Sequence, residues 1–355
     1  MVATTPTYQR AFHTQVNSAT SNGRFNFGIY NQPLKEVNLL DAKAPLGFSL
    51  PRPLQYMRLK EWQAFQLGNE DYFLMVAIYN AKTMALAQFI IHDIKRGKKI
   101  KYEQKVPFTK IKVAQSLYGT FSEFRSKAFY LRANNKLEEG KIEIEVETKR
   151  FQGMPDIRGR FTGYHTQAAV QPQVVVMPFA ENRGMYSHKC LMHMEGNLHI
   201  DRQSISFERD ESHMLMDDHK GYYPYVMQYD WVTGAGFDTI HRLIGFNLTD
   251  NQVTNQEVYN ENCLWVDDKI SLLPPVKVTR PQGVEKDWFI KDQYGRVDLV
   301  FSPVINTRVD VNLLVIKSDY HGPYGFFKGY IINDSDSKIN VDGIFGMGEQ
   351  FYLRA

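Results

Sequence analysis

Alternation with period two dominates the chain, the pattern of strands that keep one face in a core and the other in water. It is cleanest in Lys141-Ile142-Glu143-Ile144-Glu145-Val146-Glu147, where Ile142, Ile144 and Val146 share one side and the glutamates the other. Arg296 to Phe301 repeats it less regularly. Tyr72 to Tyr79 and Met84 to Ile91 are apolar runs split by Asn80-Ala81-Lys82-Thr83, which reads as a hairpin with both faces partly covered. Further strands are expected at Val174–Met177, Leu243–Leu248, Cys263–Val266, Val311–Ile316 and Tyr324–Ile332. Turn signals fall at Asn134-Asn135, Glu139-Gly140, Asp267-Asp268, Tyr294-Gly295 and Asn333-Asp334. Long segments of period 3.6 are scarce. Residues 54–66 could make a helical stretch, yet Trp62 and Phe65 fit a strand nearly as well. Many short strands and few helices predict an all-β sandwich or barrel, and the connections are too short for the crossover helices of a βαβ fold.

A chain of 355 residues favours two domains. A weak internal echo agrees with two similar halves. Residues 129–163 run strand, turn, alternating strand and a loop into Arg160-Phe161-Thr162-Gly163, and residues 288–329 repeat that order into Phe326-Phe327-Lys328-Gly329. A boundary near Pro178–Arg183 gives an N-terminal tail at 1–20, a first barrel at 21–180 and a second at 181–355. With 43% apolar and 23% charged residues the chain has enough apolar surface to form such cores, which sets disorder aside. The net charge of +3 names no partner. Cys190 and Cys263 are the only cysteines, too few for a disulfide framework and without a zinc spacing, so both are expected as buried thiols. The start of the chain lacks an apolar secretory core, and the longest apolar run, Tyr72 to Tyr79, is far short of a bilayer span. The expectation is a cytoplasmic protein, with surface docking on a membrane compatible.

Histidine is unevenly placed, with seven of ten between residues 165 and 241. In an extended 213–219 segment His213, Asp217 and His219 would project from one face with Leu215 between them. Imidazole plus carboxylate suits a mononuclear metal site, but neither H-E-x-x-H nor a Cys/His spacing is present, so no metal is expected. The same residues suit general acid–base work, with Asp217 orienting or charging a histidine in a semi-apolar pocket. The plainer reading is that they fill space or bind. No G-x-S-x-G elbow, dinucleotide fingerprint or phosphate loop occurs, so serine hydrolases and nucleotide enzymes are set aside, and no cofactor is implied.

Between Lys95 and Lys112 lie eight basic residues and one acid, Glu103. A solvated hairpin whose lysines blunt a strand edge explains this cluster. The sharper reading is peripheral contact of Lys95, Arg96, Lys98, Lys99 and Lys101 with an anionic membrane. Nucleic acid is not an expected partner, since no recognition element accompanies the cluster. The run Gly221-Tyr222-Tyr223-Pro224-Tyr225 to Tyr229-Asp230-Trp231 puts Tyr223, Tyr225, Tyr229 and Trp231 at alternate positions, a ladder that lines a ligand cavity or plugs it.

Several of these segments together resemble one bacterial family. They are Tyr186-Ser-His188-Lys, Glu195-Gly196-Asn-Leu, Asp218-His-Lys220-Gly221-Tyr-Tyr-Pro224, Trp231 with Gly234-Ala-Gly236, Leu243-Ile-Gly245-Phe-Asn247-Leu, Glu261-Asn262 with Trp265-Val-Asp267, Val297-Asp298-Leu299 with Phe301-Ser-Pro303, and the closing Gly343-Ile-Phe-Gly346-Met-Gly-Glu349. The pattern, running from Gly23 to the end, is similar to domain of unknown function 2804. The resemblance implies two lipocalin-like antiparallel β-barrels. It also implies distant kinship with hydroxyneurosporene synthase (a carotenoid hydratase), AttH-type proteins, two-barrel cyclases and a two-barrel ceramide-transfer protein. Where the family shows a tryptophan two residues before the equivalent of Trp231, this chain has Tyr229.

The leading expectation is binding, or transfer, of an apolar small molecule or lipid in a barrel cavity. Tyr186, His219, Tyr225, Tyr229 and Trp231 would rim that cavity, and Asn247, Glu261 and Asn262 would fix a polar headgroup. The alternative is a hydratase, cyclase or isomerase acting without a metal on an apolar alkene, with His213, Asp217 and His188 as the acid–base residues.

Overall fold

The computed structural model describes residues 8–150, 153–166, 170–312 and 317–354. The expected strand Val311–Ile316 therefore lies mostly outside the described residues, its first two positions ending the strand Arg308–Asn312. The chain forms two compact units, each built on one large antiparallel sheet. The sheet of the first unit runs in the order Lys98–Val106, Ala85–Asp93, Tyr72–Asn80, Lys60–Gly68, His213–Gly221, Arg183–Ile200, Ile157–Tyr164, Lys141–Thr148, Phe129–Lys136, Thr120–Arg125 and Ile111–Lys112. Its two end strands are joined by residues 107–110 only, so the path returns on itself as a nearly closed barrel. The second sheet runs Lys269–Leu272, Cys263–Val266, Leu243–Asp250, Val226–Phe237, Phe345–Arg354, Tyr324–Ile332, Val297–Ile305, Trp288–Asp292 and Val276–Thr279. Both units are all-β and lipocalin-like, but the second sheet makes a half-barrel rather than the second closed barrel expected. No helix among the described residues is long and apolar enough to cross a membrane.

The alternating pattern acts as read. Lys141–Thr148 pairs on both sides, and its Ile142, Ile144 and Val146 are fully buried in the barrel core while the glutamates face outward. The hairpin Tyr72–Asn80 with Ala85–Asp93 closes through Ala81–Met84, where Lys82 takes a left-handed φ of 68°. Of the two echoing segments, the first forms a three-strand antiparallel meander, whereas in the second Arg308–Asn312 and Lys317–His321 intervene between the paired strands Val297–Ile305 and Tyr324–Ile332. Cys190 and Cys263 are buried and form no disulfide.

Three expectations change. The helix covers only Arg52–Arg58, and Lys60–Gly68 is a strand, because Phe65 and Leu67 enter the core at period two. Asn134-Asn135 is no turn. Both lie within Phe129–Lys136, and the reversal follows at Leu137–Glu139 with Gly140 at a left-handed φ of 68°. Asn135 stays in the strand because its amide is hydrogen-bonded inside the barrel rather than to water. The third change is the boundary. Residues 183–221 were expected in the second barrel, but Arg183–Ile200 and His213–Gly221 fill the gap between Lys60–Gly68 and Ile157–Tyr164 in the first. The first unit is therefore Thr14–Val176 with Asn182–Tyr222. Nor are residues 8–20 a loose tail. Thr20–Ser21 pairs with Arg24–Phe25, and Arg10 donates to the carbonyls of Asn260 and Asn262, both at 2.9 Å, within the second unit.

The two interiors differ. That of the second unit is packed with aromatic and aliphatic side chains, Trp288, Phe301, Phe327 and Phe246 meeting in sequence through edge-to-face and tilted contacts beside Leu248, Ile290 and Leu299. That of the first is apolar along part of its length only.

Candidate functional site

Register shows how the first barrel divides. On the inner face, Met192 lies opposite Met214 and Cys190 opposite Met216, followed by His188 opposite Asp218 and Tyr186 opposite Lys220. The neighbouring strand places Leu67 and Phe65 beside Met214 and Met216, then Gln63 and Glu61 beside Asp218 and Lys220. The next strand continues with Leu74, Val76 and Ile78, then Asn80. Each of these strands changes from apolar to polar toward the same end. The opposite wall does the same: Gln63 Nε2 donates to Asn135 Oδ1 at 2.8 Å and Ser122 Oγ donates to Gln63 Oε1 at 2.7 Å, while Phe124 and Leu131 belong to the apolar part.

The polar end holds four charged groups, all buried. Glu61 pairs with the ammonium of Lys82, which the left-handed turn folds back into the barrel, and accepts a 3.0 Å hydrogen bond from Gln115 Nε2. Lys220 Nζ donates to the carbonyl of Ala114, with its nearest carboxylate oxygens 3.8 Å away on Asp218 and 4.0 Å away on Glu61. Asp218 is 1% exposed and its Oδ1 has no hydrogen-bond partner. Burial pushes the Asp218 carboxyl up to about 6, against the pull of Lys220 and His219. Opposite it, His188 shares a 3.1 Å Nε2–Nε2 hydrogen bond with His165, and its Nδ1 is buried without a partner. Burial holds His188 well below the ordinary imidazole range and brings His165 to about 4, so this pair is neutral near pH 7. The Tyr186 hydroxyl is also buried and unpartnered, and burial raises its pKa well above the phenol value. Buried polar atoms nearly always find partners, so these three on one wall are open to a further hydrogen-bonding group.

The outer face of the same strands carries the residues singled out in the sequence. His213, Asp217 and His219 do share one face with Leu215 between them, as alternation demands. That face points away from the barrel interior. Asp217 is paired with Lys189, lies 2.9 Å from His219 Nε2 and accepts a 3.2 Å hydrogen bond from Trp62 Nε1. Burial works to raise its carboxyl, but His219 and Lys189 override it and hold it well below the usual carboxylate range. Trp62 stacks on His219 at 4.5 Å. His213 sits four residues, roughly 13 Å, along the strand from Asp217 and so does not meet it. Burial lowers His213 to about 4, and its ring packs so near Gly68 that a Cβ there would come within 3.2 Å of Cε1. The three expected acid–base residues are thus separated: His188 is inside the first barrel, while Asp217 and His213 occupy distant points of its outer face.

The second group of expected residues lies in the second unit, on the face opposite its packed core. Trp231 Nε1 donates to Asn247 Oδ1 at 2.6 Å, and Asn247 Nδ2 donates to the carbonyl of Glu261 at 2.6 Å. Thr249 Oγ1 donates to Glu261 Oε1 at 3.0 Å, and its N–H to Asn262 Oδ1 at 2.7 Å. These hydrogen bonds tie the 260–262 loop to the sheet. Tyr229 and Tyr320 both donate to Glu349, at 2.9 and 2.8 Å. Tyr225 lies just before its strand and is 53% exposed, so the four-residue aromatic ladder does not form. Of the basic cluster, Lys95 pairs with Asp71, Arg96 with Asp93 and Lys101 with Glu103, while Lys98 and Lys99 begin the edge strand. Among the described residues no three His, Cys, Asp or Glu side chains converge to hold a metal ion.

Sequence reasoning missed Asp218, Lys220, Glu61, Gln63, Lys82, Asn135 and His165. The signal was present in Met214, Met216, Asp218 and Lys220 at alternate positions: the methionines mark the inward face, and the two charged residues continue it.

Solved structures share this architecture. The crystal structure of CghA with Sch210972 aligns at a TM-score of 0.52 and 10% identity, covering 83% of this chain and 88% of that one. A second structure of CghA aligns at 0.51 and 11% identity over the same shares. Kievitone hydratase from Nectria haematococca reaches a TM-score of 0.48 at 9% identity, covering 83% and 89%. At these identities the likeness to the two CghA structures is one of fold. No curated protein matches the sequence. One family profile does, over residues 9–354, and the chain accordingly belongs to the family described as domain of unknown function DUF2804.

Proposed function

We propose that the interior of the first barrel is an acid–base site that adds water to, or shifts a proton on, an unsaturated carbon of a largely apolar substrate. The observation that carries this reading is Asp218, a buried carboxyl at about 6 with an oxygen that makes no hydrogen bond, on the residue directly across the strand pair from His188, whose Nδ1 makes none either. A carboxyl tuned toward ambient pH both gives up a proton and is reloaded readily. In hydration, Asp218 protonates one alkene carbon, water attacks the other, and His188 Nδ1 takes the proton that water sheds. The product is the alcohol, and return of that proton from His188 to Asp218 resets both groups. In isomerisation the same pair removes a proton from one carbon and supplies one to another. The acid role expected of Asp217 thus passes to its neighbour, since an ionised carboxylate held by three partners is a poor donor.

Binding or transfer of an apolar molecule without reaction is the second reading. It is favoured by the wall of Cys190, Met192, Met214 and Met216, whose soft side chains adapt to varied apolar shapes. Incubating the protein with a lipid extract in water labelled with oxygen-18, or in heavy water, separates the two by mass spectrometry. Catalysis predicts compounds that gain labelled water or deuterium with the wild type and not with Asp218→Asn. Co-purified ligand with no labelled product from either protein leaves binding alone.

A further inference from the structure

We infer that the molecule taken up by the first barrel is an amphiphile with one anionic head, a carboxylate, held by the ammonium of Lys220 at the polar end, its apolar body lying along the methionine-lined part. The inference rests on the barrel interior being the ligand site, as the proposed function does. It adds the charge and orientation of the occupant.

Two observations lead to it. The first is the change of chemistry along the barrel. Leu67, Phe65, Met214, Met216, Met192 and Cys190 line one part, and their own strands, Lys60–Gly68, Arg183–Ile200 and His213–Gly221, turn polar beyond them, as do Thr120–Arg125 and Phe129–Lys136 on the opposite wall. A uniformly apolar guest would leave that end uncompensated, and a uniformly polar one would waste the methionine wall. The second is the placement of the charges at the polar end. Lys82 and Glu61 neutralise each other in direct contact, whereas Lys220 donates to one carbonyl and stands 3.8 and 4.0 Å from the nearest carboxylates, beyond hydrogen-bond reach. An ammonium carries three donors and is costly to bury without an anion in contact. The Tyr186 hydroxyl, across the strand pair from Lys220 and also unpartnered, supplies a second donor for the same head. Room for a guest is consistent with the strand path: eight strands give an interior that side chains just fill or that holds one small ligand, and this path has eleven.

An anion at Lys220 also bears on Asp218. A negative charge beside a buried carboxyl disfavours its ionisation, so uptake of the ligand loads the proton donor. Binding near neutral pH is therefore expected to draw a proton from solution.

Isothermal titration of the wild-type protein with dodecanoate, dodecanol and dodecyltrimethylammonium, each below its micelle concentration, tests this. Dodecanoate is expected to bind about tenfold or more tighter than the alcohol, the value of one charge-assisted hydrogen bond, with the cation weakest. Repeating the dodecanoate titration in buffers of different ionisation enthalpy is expected to reveal proton uptake that Asp218→Asn abolishes. Lys220→Met is expected to erase the preference for dodecanoate over dodecanol while leaving dodecanol binding in place. Equal binding of all three probes by the wild type, or preference for the cation, overturns the head-group assignment and leaves the interior as a ligand site. Binding of none overturns both. A Lys220→Met protein that fails to fold changes nothing in these outcomes, because the comparison of heads is made on the wild type.

Discussion

Replacing Asp218 with asparagine keeps the shape of the side chain and removes its ionisation. In the folded protein burial holds the carboxyl proton up to about 6, whereas an ordinary aspartate releases it near 3.8. Between those values the unfolded chain has lost the proton and the folded chain retains it, so stability falls as pH rises through that window. Below it both states are protonated, and above it both are ionised and the loss is complete. At about 1.36 kcal/mol per pKa unit, the gap amounts to ~3 kcal/mol. Asp218→Asn escapes this penalty. It is expected to match the wild type near pH 4 and to exceed it by up to ~3 kcal/mol at pH 8, which for a unit of this size is roughly 6–12 °C in melting temperature. Thermal unfolding of both proteins from pH 4 to 8, followed by circular dichroism, reads the difference directly. Curves that run parallel across the range, or a variant less stable at pH 8, would refute the claim that this carboxyl is destabilised by its burial. A gain in stability on removing a buried acid is also the mark of a residue kept for chemistry rather than for folding.

His213 works in the opposite direction: burial lowers it to about 4, so stability is lost as pH falls from 6.5 toward that value. His213→Gln should flatten that part of the profile, and urea unfolding at pH 7 and pH 5 with an unchanged difference between the two would contradict it. Trp231→Phe deletes the donor to Asn247 Oδ1 and should cost about 1–3 kcal/mol, visible as a lower denaturation midpoint; a neutral effect would mean the 260–262 loop is held by its other bonds. Gly68→Ala puts a Cβ 2.8 Å from the carbonyl of Tyr72 and 3.2 Å from the His213 ring, and is expected to cost about 1–3 kcal/mol. A Gly68→Ala protein as stable as the wild type would show that the two strands can part there without loss.

Local elements were legible because they obey a local rule. Cys263–Val266 and Tyr324–Ile332 fall where the pattern puts them, and Ile142, Ile144 and Val146 face the core the glutamates avoid. Which of two mixed faces turns inward was harder to read. Between 213 and 220 both faces carry apolar and charged residues, and a single-residue difference in parity decides whether Asp217 or Asp218 enters the barrel. Partners distant in sequence were beyond reach altogether. Nothing in the neighbourhood of Gln63 announces that Asn135 and Ser122 will meet it across the interior, nor does Lys82 in its turn announce Glu61. The boundary failed for the same reason. Length and an internal echo suggest equal halves, but adjacency in a sheet is set by which edges remain unpaired, and the first barrel still lacked two strands at residue 180.

The strand Arg183–Ile200 spans eighteen residues and joins two parts of the first sheet, pairing with His213–Gly221 along its first half and with Ile157–Tyr164 along its second. Such a keystone sets a schedule for the nascent chain. As synthesis proceeds, Lys60–Gly68 and Ile157–Tyr164 each emerge with one side unpaired; Ile157–Tyr164 waits for Met194–Ile200, and Lys60–Gly68 cannot be sealed until Gly221 has left the ribosome to lie against Lys60. Closure across so long a loop is slow, and open strand edges invite pairing with other chains in the meantime. Expression that stops at residue 180 should therefore yield aggregates rather than a small barrel. A break after residue 222 falls where the first unit ends, although Met177–Glu181 before it belongs to the second.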